Sequence, residues 1–382
     1  MIYLDSASTS IHKPPQVAAA MAAAISMLGN PGRGTHKQAL DAAKCVYQCR
    51  KAVAALLNAT PHQVAFTASA TESLNMAING LLSPTDHVIT TVLEHNSVLR
   101  PLYNLQSCGQ SADENMSILG ILENGNLNYA DFQSYLKPTT KAVVITAASN
   151  VTGLVVDMQF VSDFCKKHGL LLIVDAAQTA GLIPANMSNI HTLCFTGHKS
   201  LLGPQGIGGL CVRTTNISPT KFGGTGVDSF SKTQPQTLPE ALETGTLNTP
   251  GIAGLLAGIE YINKTGMKNI LSTSLNLAEQ FYSEVSTIPN VKIYSNFNLP
   301  HVPIVALNIG GLDSAMVAFR LSNEYGISVR GGIHCAPLLH KALGTEKQGI
   351  VRFSFSSFNT ENDVLAAVHA VREIELTSQK KQ

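Results

Sequence analysis

Two polar residues follow neighbouring apolar runs, and their types could together support chemistry on an amine. Asp175 ends the run LLLIVD, and Lys199 follows the run TLCFTGH. A lysine in so apolar a setting loses its charge readily, so its amine is a candidate nucleophile. A lone buried aspartate is more often a helix cap or half of a salt bridge, because an unpaired carboxylate is costly to bury. The two runs predict adjacent strands, so both side chains are expected at the edge of a sheet where α/β proteins bind ligands.

A phosphate-binding site is predicted where the stretch FTASATESLN passes from a strand into a helix near Thr71. The free N–H groups of a helix N-terminus attract anions, and the hydroxyls of Ser69 and Thr71 can add to them. Thr196 and His198, just before Lys199, could complete this site. An amine that forms a Schiff base and a carboxylate that keeps a pyridine nitrogen protonated are the groups that pyridoxal phosphate requires. Together with the anion site, they predict that cofactor.

Two further residues could contact the ring of such a cofactor. His95, in EHNSVLRP, could cover one face of the ring, although a single histidine is more often a loop residue with satisfied hydrogen bonds. Asn150, in SNVTG, lies just past a predicted strand and could reach the ring oxygen. Both residues follow predicted strands, so we expect them at the same edge of the sheet as Lys199.

The elements that must position these residues alternate along most of the chain. Short apolar runs without polar alternation predict buried strands at residues 63–67, 87–92, 142–146, 170–175, 192–196 and 208–212. Helical patterns occur at residues 15–28, 39–57, 71–82, 160–168 and 249–265. Buried strands separated by helices are typical of a mostly parallel sheet that is covered on both faces. The pattern therefore predicts an α/β fold.

The last part of the chain predicts a smaller α+β domain. Helices are expected at residues 271–286, 313–325, 337–343 and 360–375, and strands at residues 291–294, 304–309, 328–330 and 350–354. We expect a large domain of residues 16–255, and a small domain of residues 1–15 and 256–382. Residues 106–118 and 213–241 are interpreted as polar connections, and residues 376–382 are expected to fray.

Composition excludes several classes of protein. Lysine and arginine number 26 against 25 aspartates and glutamates in 382 residues, so the net charge of +1 provides no strong basic field for nucleic acid. Seven cysteines, without a CxxC pair, favour a reducing compartment over a disulfide framework. Cys45 and Cys49 could share a helix face, but no further metal ligands are evident nearby. We therefore expect no metal site.

The sequence predicts neither a membrane span nor a targeting segment. The opening MIYLDSAST lacks a basic region, and the apolar stretch 17–28 has twelve residues, fewer than the roughly 20 that span a bilayer. That stretch is better interpreted as a buried helix. We therefore expect a soluble, cytoplasmic protein.

Longer motifs resemble those of the class V aminotransferases, which are pyridoxal phosphate enzymes of fold type I. Within that family, the chain is most similar to cysteine desulfurases of the NifS and SufS kind. The resemblance covers nearly the full length and rests on YLDSAST, NPGRGTH, ATESLN, EHNSVLRP, SNVTG, DAAQTAG, TGHKSLLGPQGIGGL, GGTG, ETGTLN, RGGIHCAPL and VRFSFSSFNT. TGHKSLLGPQGIGGL is highly specific, whereas GGTG alone is weak and lacks the Lys-Ser/Thr pair of a nucleotide-binding loop.

The resemblance implies a role for each matching residue around the cofactor. Lys199 is implied to form the Schiff base, and Asp175 to pair with the pyridine nitrogen. Gln178 and Asn150 are implied to contact the ring oxygen, and His95 to stack on the ring. The residues implied to bind the phosphate are Ala70, Thr71, Thr196 and His198.

The resemblance also implies a shared site and a substrate clamp. Gly245 and Thr246, in ETGTLN, resemble the segment that reaches the phosphate of a partner subunit, which implies a homodimer with shared active sites. Arg352, in VRFSF, is implied to clamp the substrate carboxylate as a bidentate fork. Arg330 and Asn150 are implied to bind the substrate beside it.

Cys335, in VRGGIHCAP, is the residue whose presence distinguishes a desulfurase from the other activities of this family. A lone cysteine is usually a small buried apolar residue, but the flanks of this one match the catalytic loop of the desulfurases. Arg330 and His334 are close in sequence and are expected to favour its thiolate. No long insertion separates Arg330 from Arg352, which resembles the SufS-like group more than the NifS-like one. SufS-like enzymes tend to work with a sulfur-accepting partner protein.

The resemblance implies an enzyme that converts L-cysteine to L-alanine, holds the sulfur as a persulfide on Cys335 and passes it on, for example to iron–sulfur cluster assembly. Selenocysteine lyase, epimerase and aminotransferase activities on the same scaffold stay open. A sulfur-relay or assembly partner without turnover is disfavoured, because Lys199, Asp175 and Cys335 are all present. The chain has DSAST where many relatives have DNAAT, and Ala70 where they have threonine. These differences, which include Ser6, leave the placement of the substrate open and do not bear on the cofactor. A nucleotide-binding protein is disfavoured because no glycine-rich loop follows the first strand.

Overall fold

The structure, a computed structural model, describes residues 1–32, 34–107, 115–213 and 216–379. Its strands are β1 (Ile2–Tyr3), β2 (Val64–Thr67), β3 (His87–Thr91), β4 (Met116–Leu119), β5 (Thr140–Thr146), β6 (Leu171–Asp175), β7 (Thr192–Thr196), β8 (Gly208–Val212), β9 (Val291–Ile293), β10 (Ile304–Ile309), β11 (Ile327–Ser328), β12 (Arg330–Gly332) and β13 (Ile350–Ser354). Its α-helices are α1 (Pro15–Met27), α2 (Lys37–Leu56), α3 (Ala70–Leu81), α4 (Asn96–Ser107), α5 (Asp131–Ser134), α6 (Met158–His168), α7 (Thr249–Thr265), α8 (Met267–Val285), α9 (Ser314–Tyr325), α10 (Pro337–Leu343) and α11 (Glu361–Gln379).

The central element is a seven-stranded sheet in the order β2-β8-β7-β6-β5-β3-β4. Strand β8 is antiparallel to its neighbours β2 and β7, and the other pairs are parallel. Successive residues of β6 join two different cores, because Leu172 and Val174 pack on one face and Ile173 on the other. Both faces are therefore covered, which explains why these strands are continuous apolar runs. The predicted α/β fold with a mostly parallel sheet is confirmed.

The parallel strands bring their carboxyl ends to one edge of the sheet. Strands β5 and β6 end at Thr146 and Asp175, which are paired in register, and β7 ends at Thr196. Strand β2 ends at Thr67, and α3 begins three residues later at Ala70. This edge therefore gathers the residues that the sequence analysis singled out.

Two glycines allow β8 to lie between β2 and β7. A Cβ atom on Gly208 would lie 2.7 Å from the carbonyl oxygen of Phe195 and 2.9 Å from the backbone of Ser69. A Cβ atom on Gly209 would lie 2.5 Å from the ring of Phe195. These distances are too short for any side chain. The glycines therefore permit the close approach that places the start of α3 beside the end of β7.

A second sheet of four antiparallel strands, in the order β12-β13-β10-β9, lies near the end of the chain. Helices α8, α9 and α11 pack on it. The chain's start joins this part, because β1 pairs with β11 and Asp5 forms a bridge with Ser354. The division into a large domain of residues 16–255 and a small domain of residues 1–15 and 256–382 stays a prediction.

Helix α1 differs from its prediction as a buried helix. Only Val17 and Ala24 of this helix are buried, whereas Ile25 is 71% exposed and Met27 is 68% exposed. The apolar residues of α1 therefore form a surface of the single chain instead of its core. Among the described residues, no helix combines the length and apolar character that crossing a membrane requires.

Several boundaries also differ from the predictions. Helix α4 was not predicted, because Pro101 lies inside it and proline normally ends a helical pattern. Within the predicted polar connection at residues 106–118, Met116–Leu119 is the edge strand β4, and residues 108–114 lie outside the described part. The predicted strand at residues 328–330 is divided between β11 and β12. Residues 376–379 continue helix α11 rather than fray.

Candidate active site

The carboxyl edge of the large sheet opens into a cavity of about 210 Å³. Most of the predicted site residues line it, namely Ala70, Thr71, His95, Asn150, Asp175, Gln178, Thr196, His198, Lys199, Arg330, Cys335 and Arg352. The remaining two, Gly245 and Thr246, are exposed and line a separate cleft of about 610 Å³. All the predicted site residues except two therefore line a single cavity. The two exceptions, in the segment ETGTLN, line the separate cleft.

The smaller cavity is the better candidate for a reactive site, although the cleft is larger. Lys199, Asp175 and Cys335 all reach the smaller cavity, so an amine, a carboxylate and a thiol converge there. In the larger cleft, the ionisable pair of Arg50 and Glu243 is already satisfied by two hydrogen bonds of 2.7 and 2.9 Å. Chemistry is therefore expected where the groups converge and not where the volume is greatest.

Burial shifts the pKa values of Lys199 and Asp175 in opposite directions. Lys199 is half-buried at the cavity wall, and burial lowers its pKa to about 8, against a smaller opposing effect of the Asp175 carboxylate. Asp175 is 4% exposed, and burial raises the pKa of its carboxyl, although a hydrogen bond from the Ala177 N–H and the nearby Lys199 charge lower it. Lys199 is therefore an amine that can lose its proton near neutral pH.

His95 is fixed in one tautomer by its own loop. Its Nδ1 accepts a hydrogen bond of 3.0 Å from the Ser97 N–H, so the ring proton lies on Nε2. The Ser97 hydroxyl lies 2.8 Å from that Nδ1 and 2.7 Å from the Thr71 hydroxyl. Burial, and then the Lys199 charge, lower the pKa of His95 to about 4. The imidazole is therefore neutral and linked to the start of α3.

The wall around the start of α3 contains polar atoms without partners. Ser69 caps this helix by accepting a hydrogen bond from the Glu72 N–H. The hydroxyl of Thr196 and Nδ1 of His198 are buried and have no hydrogen-bond partner among the described residues. Burial lowers the pKa of His198 to about 4, with a smaller effect of the Lys199 charge. Buried polar groups of this kind are normally satisfied, so their place on a cavity wall points to a ligand.

Asn150 and Gln178 fix backbone segments at the cavity. The Asn150 side-chain nitrogen donates a hydrogen bond of 2.8 Å to the carbonyl oxygen of His334, while its Oδ1 is buried and meets no partner in the part of the chain that the structure describes. The Gln178 side-chain nitrogen donates a hydrogen bond of 3.2 Å to the Ala7 carbonyl oxygen. Asn150 therefore also holds the loop that carries Cys335.

Cys335 lies exposed in a tight loop between β12 and α10. His334 and Cys335 have φ angles of 51° and 56°, a left-handed conformation that is uncommon outside glycine. The Cys335 carbonyl oxygen accepts a hydrogen bond of 2.7 Å from the Asn96 N–H, so the loop is tied to the start of α4. The fold therefore holds the thiol at the cavity in a turn that stays open to solvent.

The expectation that His334 favours a thiolate is wrong. Its Nε2 lies 2.9 Å from the Ile350 carbonyl oxygen and donates a proton to it. Burial, and then the Arg352 charge, lower the pKa of His334 to about 3, so the ring is neutral. A neutral imidazole supplies no positive charge for the thiolate. Arg330 remains as a cation at the same cavity.

Arg352 is nearly inaccessible, with a side chain that is 3% exposed. Its guanidinium donates hydrogen bonds of 2.8 Å to the Asp5 carboxylate and 2.8 Å to the Asn150 carbonyl oxygen. Its Nε is buried without a partner among the described residues. An unpaired N–H on a guanidinium that is otherwise held in place suits a carboxylate ligand.

The sequence analysis missed several residues at or under this cavity. Ser8, Ser97 and Thr146 line it, and Glu94 lies beneath it with no exposed surface. Glu94 Oε1 accepts hydrogen bonds of 2.7 Å from the Thr91 hydroxyl and 3.1 Å from the Thr146 N–H. Burial raises the pKa of Glu94 to about 8. The motifs DSAST and EHNS contain three of these residues, but nothing in the sequence indicated which side chains they contact.

No metal site accompanies this cavity in the part of the chain that the structure describes. Residues 1–32, 34–107, 115–213 and 216–379 contain no group of three or more His, Cys, Asp or Glu side chains that could hold an ion.

Comparison with known proteins identifies a family that matches this chain. The family described as "Aminotransferase class-V" matches residues 2–366. A probable cysteine desulfurase of Methanothermobacter thermautotrophicus is 30% identical, over 98% of this chain and 94% of its own length. The cysteine desulfurase CsdA of Escherichia coli is 32% identical, again over 98% of this chain and 94% of its own length.

A solved structure shows the same fold. The apo structure of a cysteine desulfurase from Thermococcus onnurineus NA1 superimposes with a TM-score of 0.89 at 31% identity. The match covers 98% of this chain and 95% of that chain. The match therefore includes both sheets and the loops that form the cavity.

Proposed function

The chain belongs to the class V aminotransferase family, and we propose that it is a pyridoxal phosphate-dependent cysteine desulfurase that converts L-cysteine to L-alanine. Its architecture is that of the fold type I pyridoxal phosphate enzymes. The observation that carries the proposal is the convergence of the Lys199 amine, the Asp175 carboxylate and the exposed Cys335 thiol on one cavity. An aminotransferase needs the first two groups, and a desulfurase needs all three.

The cavity residues fit pyridoxal phosphate. Three buried polar atoms that have no partner within the described ranges of the chain would be satisfied by a polar ligand, namely the Thr196 hydroxyl, His198 Nδ1 and Asn150 Oδ1. We propose that Thr196 and His198 hold the phosphate with Ala70 and Thr71, and that His95, Gln178 and Asn150 contact the ring. When bound, the cofactor supplies an electron sink that acidifies the substrate α-carbon.

Lys199 is proposed to bind the cofactor and to carry the substrate proton. Its pKa of about 8 leaves a substantial neutral fraction near neutral pH, which an amine needs in order to act as nucleophile or base. Asp175 is proposed to keep the pyridine nitrogen protonated, because its carboxylate lies at the buried end of β6. The neutral imidazole of His95 can stack on the ring without adding charge.

Cys335 is proposed to take the sulfur. Its thiolate attacks the sulfur of L-cysteine, so a sulfur–sulfur bond forms as the carbon–sulfur bond breaks. The electron pair of the broken bond stays with the substrate carbon, which is protonated and leaves as L-alanine. The exposed position of Cys335 supports the next step, in which the persulfide meets a thiol acceptor.

Arg352 is proposed to bind the substrate carboxylate, with Arg330 and Asn150 beside it. All three residues line the cavity, and the Arg352 guanidinium is fixed by its bonds to Asp5 and to the Asn150 backbone. A fixed planar guanidinium matches a carboxylate in geometry and charge. This contact would hold the α-carbon near Lys199.

We also propose that the enzyme is SufS-like and delivers sulfur to an acceptor protein. The proposal is supported by the compact segment of β12, α10 and β13, which leaves no long insertion around Cys335. The six described cysteines are free, which fits a reducing compartment such as the cytoplasm. Iron–sulfur cluster assembly is a proposed destination of the sulfur.

A homodimer with shared active sites is proposed as the working unit. Gly245 and Thr246 are exposed and lie outside the reactive cavity of their own chain, so they are free to reach a second copy. Ile25 and Met27 of α1 are exposed apolar residues that a second copy would cover.

An assay of product formation tests the proposed function. Purified holoenzyme is incubated anaerobically with L-cysteine and a thiol reductant, and L-alanine and sulfide are measured. We expect equal amounts of both from the wild-type protein and neither from Lys199→Ala. Conversion of added 2-oxoglutarate to glutamate, without L-alanine or sulfide, would show an aminotransferase instead. Activity with L-selenocysteine alone would identify a selenocysteine lyase.

A further inference from the structure

The hydroxyl of Ser8 lies at the centre of a polar network that joins both arginines of the cavity. Its oxygen accepts a hydrogen bond of 2.6 Å from Arg352 and one of 2.9 Å from Arg330. It donates its own proton to the Asp5 carboxylate over 2.7 Å. A hydroxyl has one donor and two acceptor sites, and all three are used here.

The chain's start is built to present this hydroxyl. Strand β1 pairs with β11, and Asp5 forms a bridge with Ser354 at the end of β13. Arg352 is itself in β13, and it pairs in register with Arg330 of β12. The turn that begins at Asp5 therefore crosses directly above two neighbouring strands that each carry one arginine.

The network leaves an excess of positive charge. Arg330 and Arg352 contribute two guanidinium groups, and Asp5 contributes one carboxylate. The Arg352 side chain is 3% exposed, and its Nε has no partner among the described residues. This network, in which Arg352 is buried and Arg330 is exposed, has one unbalanced cation and one unused buried donor, and both features favour an anionic ligand.

We infer that Ser8 is a positioning residue, which holds Arg330 and Arg352 in the orientation that binds the substrate's α-carboxylate. This inference rests on the proposed function and deepens it. The Ser8 hydroxyl does not contact the substrate, because its hydrogen-bonding capacity is filled by Asp5 and the two arginines. Ser8 fixes the side chains of Arg330 and Arg352 before the carboxylate binds. The two arginines therefore lose less conformational entropy when binding occurs.

Ser8→Ala tests this inference by separating carboxylate recognition from the rest of binding. The holoenzyme is titrated with L-alanine and with L-alaninamide, in which a neutral amide replaces the carboxylate, and binding is followed by cofactor absorbance. We expect Ser8→Ala to weaken L-alanine binding by about tenfold and L-alaninamide binding by less than about twofold. In turnover, the KM for L-cysteine should rise by a similar factor, with little change in kcat.

Two further variants separate positioning from a general structural effect. Ser8→Thr keeps the hydroxyl and should restore L-alanine binding to within about threefold of wild type. Ser286→Ala removes an exposed hydroxyl that donates a hydrogen bond to the Ser283 carbonyl oxygen at the end of α8, and it should leave both titrations unchanged. Equal weakening of both ligands by Ser8→Ala, or an equal loss in Ser286→Ala, would overturn the inference.

The titrations also distinguish this inference from the proposed function. If the carboxylate-specific loss occurs but L-cysteine yields no L-alanine, the inference stands and the desulfurase function fails. If the wild-type protein produces L-alanine but binds it no better than L-alaninamide, the function stands and the arginine pair is not a carboxylate site.

Discussion

Burial shifts the pKa values of Lys199 and Asp175, the two side chains that are proposed to bind the same cofactor. Burial disfavours both charged forms, so it lowers the pKa of Lys199 and raises the pKa of Asp175. Their mutual attraction and the Ala177 N–H oppose these shifts. Asp175 is therefore a carboxylate whose charge a bound cation would stabilise, such as the protonated nitrogen of a pyridine ring.

Asp175→Asn is expected to keep the cofactor bound and to lose most of the activity. A neutral amide cannot hold the proton on a ring nitrogen, so we expect kcat to fall by about 100-fold or more. Desulfurase kinetics and cofactor absorbance would measure the two effects. Asp157→Asn, which changes an exposed helix cap of α6, serves as the control and should retain normal kcat. Normal kcat in Asp175→Asn would reduce Asp175 to a structural role.

At the scale of elements, Glu94 connects the strands that form the floor of the cavity. It follows β3, and its side chain accepts hydrogen bonds from the hydroxyl at the end of β3 and from the last N–H of β5. Its second oxygen is buried without a partner among the described residues. With its pKa raised to about 8, Glu94 is protonated at neutral pH in the folded protein.

Glu94 predicts a dependence of stability on pH. The folded state retains a proton on Glu94 that the unfolded chain loses near its ordinary pKa of 4.5. The contribution of Glu94 to stability is therefore complete below that value and is lost as the pH rises toward 8. The slope for a single proton is at most about 1.4 kcal/mol per pH unit.

Glu94→Gln should remove this dependence, because glutamine has nearly the same shape and no proton to lose. Relative to wild type, the urea midpoint of the variant should rise as the pH increases from 5 to 8. Glu123→Gln changes an exposed glutamate and should follow the wild-type curve. Parallel curves for wild type and Glu94→Gln would show that Glu94 is already ionised in the folded state.

The main strands were predictable because a sheet covered on both faces requires continuous apolar runs. Helix α4 was not, because Pro101 interrupts its pattern while the tertiary contacts maintain the helix. In the site, Asp175, Thr196 and Lys199 were predictable because strand ends are marked by a change from apolar to polar residues. Ser8 was not, because its partner Arg330 is 322 residues away in the chain. Such contacts depend on packing between elements that no local pattern encodes.

At the scale of the whole molecule, the exposed apolar face of α1 and the position of Thr246 support the same proposal. Ile25 and Met27 are too exposed for a helix that was expected to be buried, and Thr246 is outside its own chain's cavity. If α1 packs against a second copy, its apolar residues are buried in the dimer, as the sequence predicts, although they are exposed in the single chain. This packing would also allow the exposed segment of one chain to complete the site of another.

Ile25→Asp is therefore expected to weaken self-association, because a carboxylate would have to be buried in an apolar contact. Sedimentation velocity should show twice the chain mass for wild type and a shift toward the single-chain mass for the variant at low micromolar concentration. Specific activity of the variant should fall on dilution, since the proposed site needs Thr246 of a second copy. Leu365→Asp, on the exposed surface of α11, is the control and should remain associated. A wild-type protein of single-chain mass with full activity would contradict the shared site.

Cys335 is the residue that is proposed to receive the sulfur, and one measurement tests this role directly. Holoenzyme should be mixed with L-cysteine without reductant, digested and examined by peptide mass spectrometry. We predict that the peptide containing Cys335 gains about 32 Da, the mass of one sulfur atom, and that reductant removes it. Cys335→Ser should bind the cofactor and L-cysteine yet gain no sulfur, because a serine hydroxyl is a poor nucleophile toward sulfur. Sulfur found on Cys45 or Cys194 and absent from Cys335, with L-alanine still formed, would contradict the account.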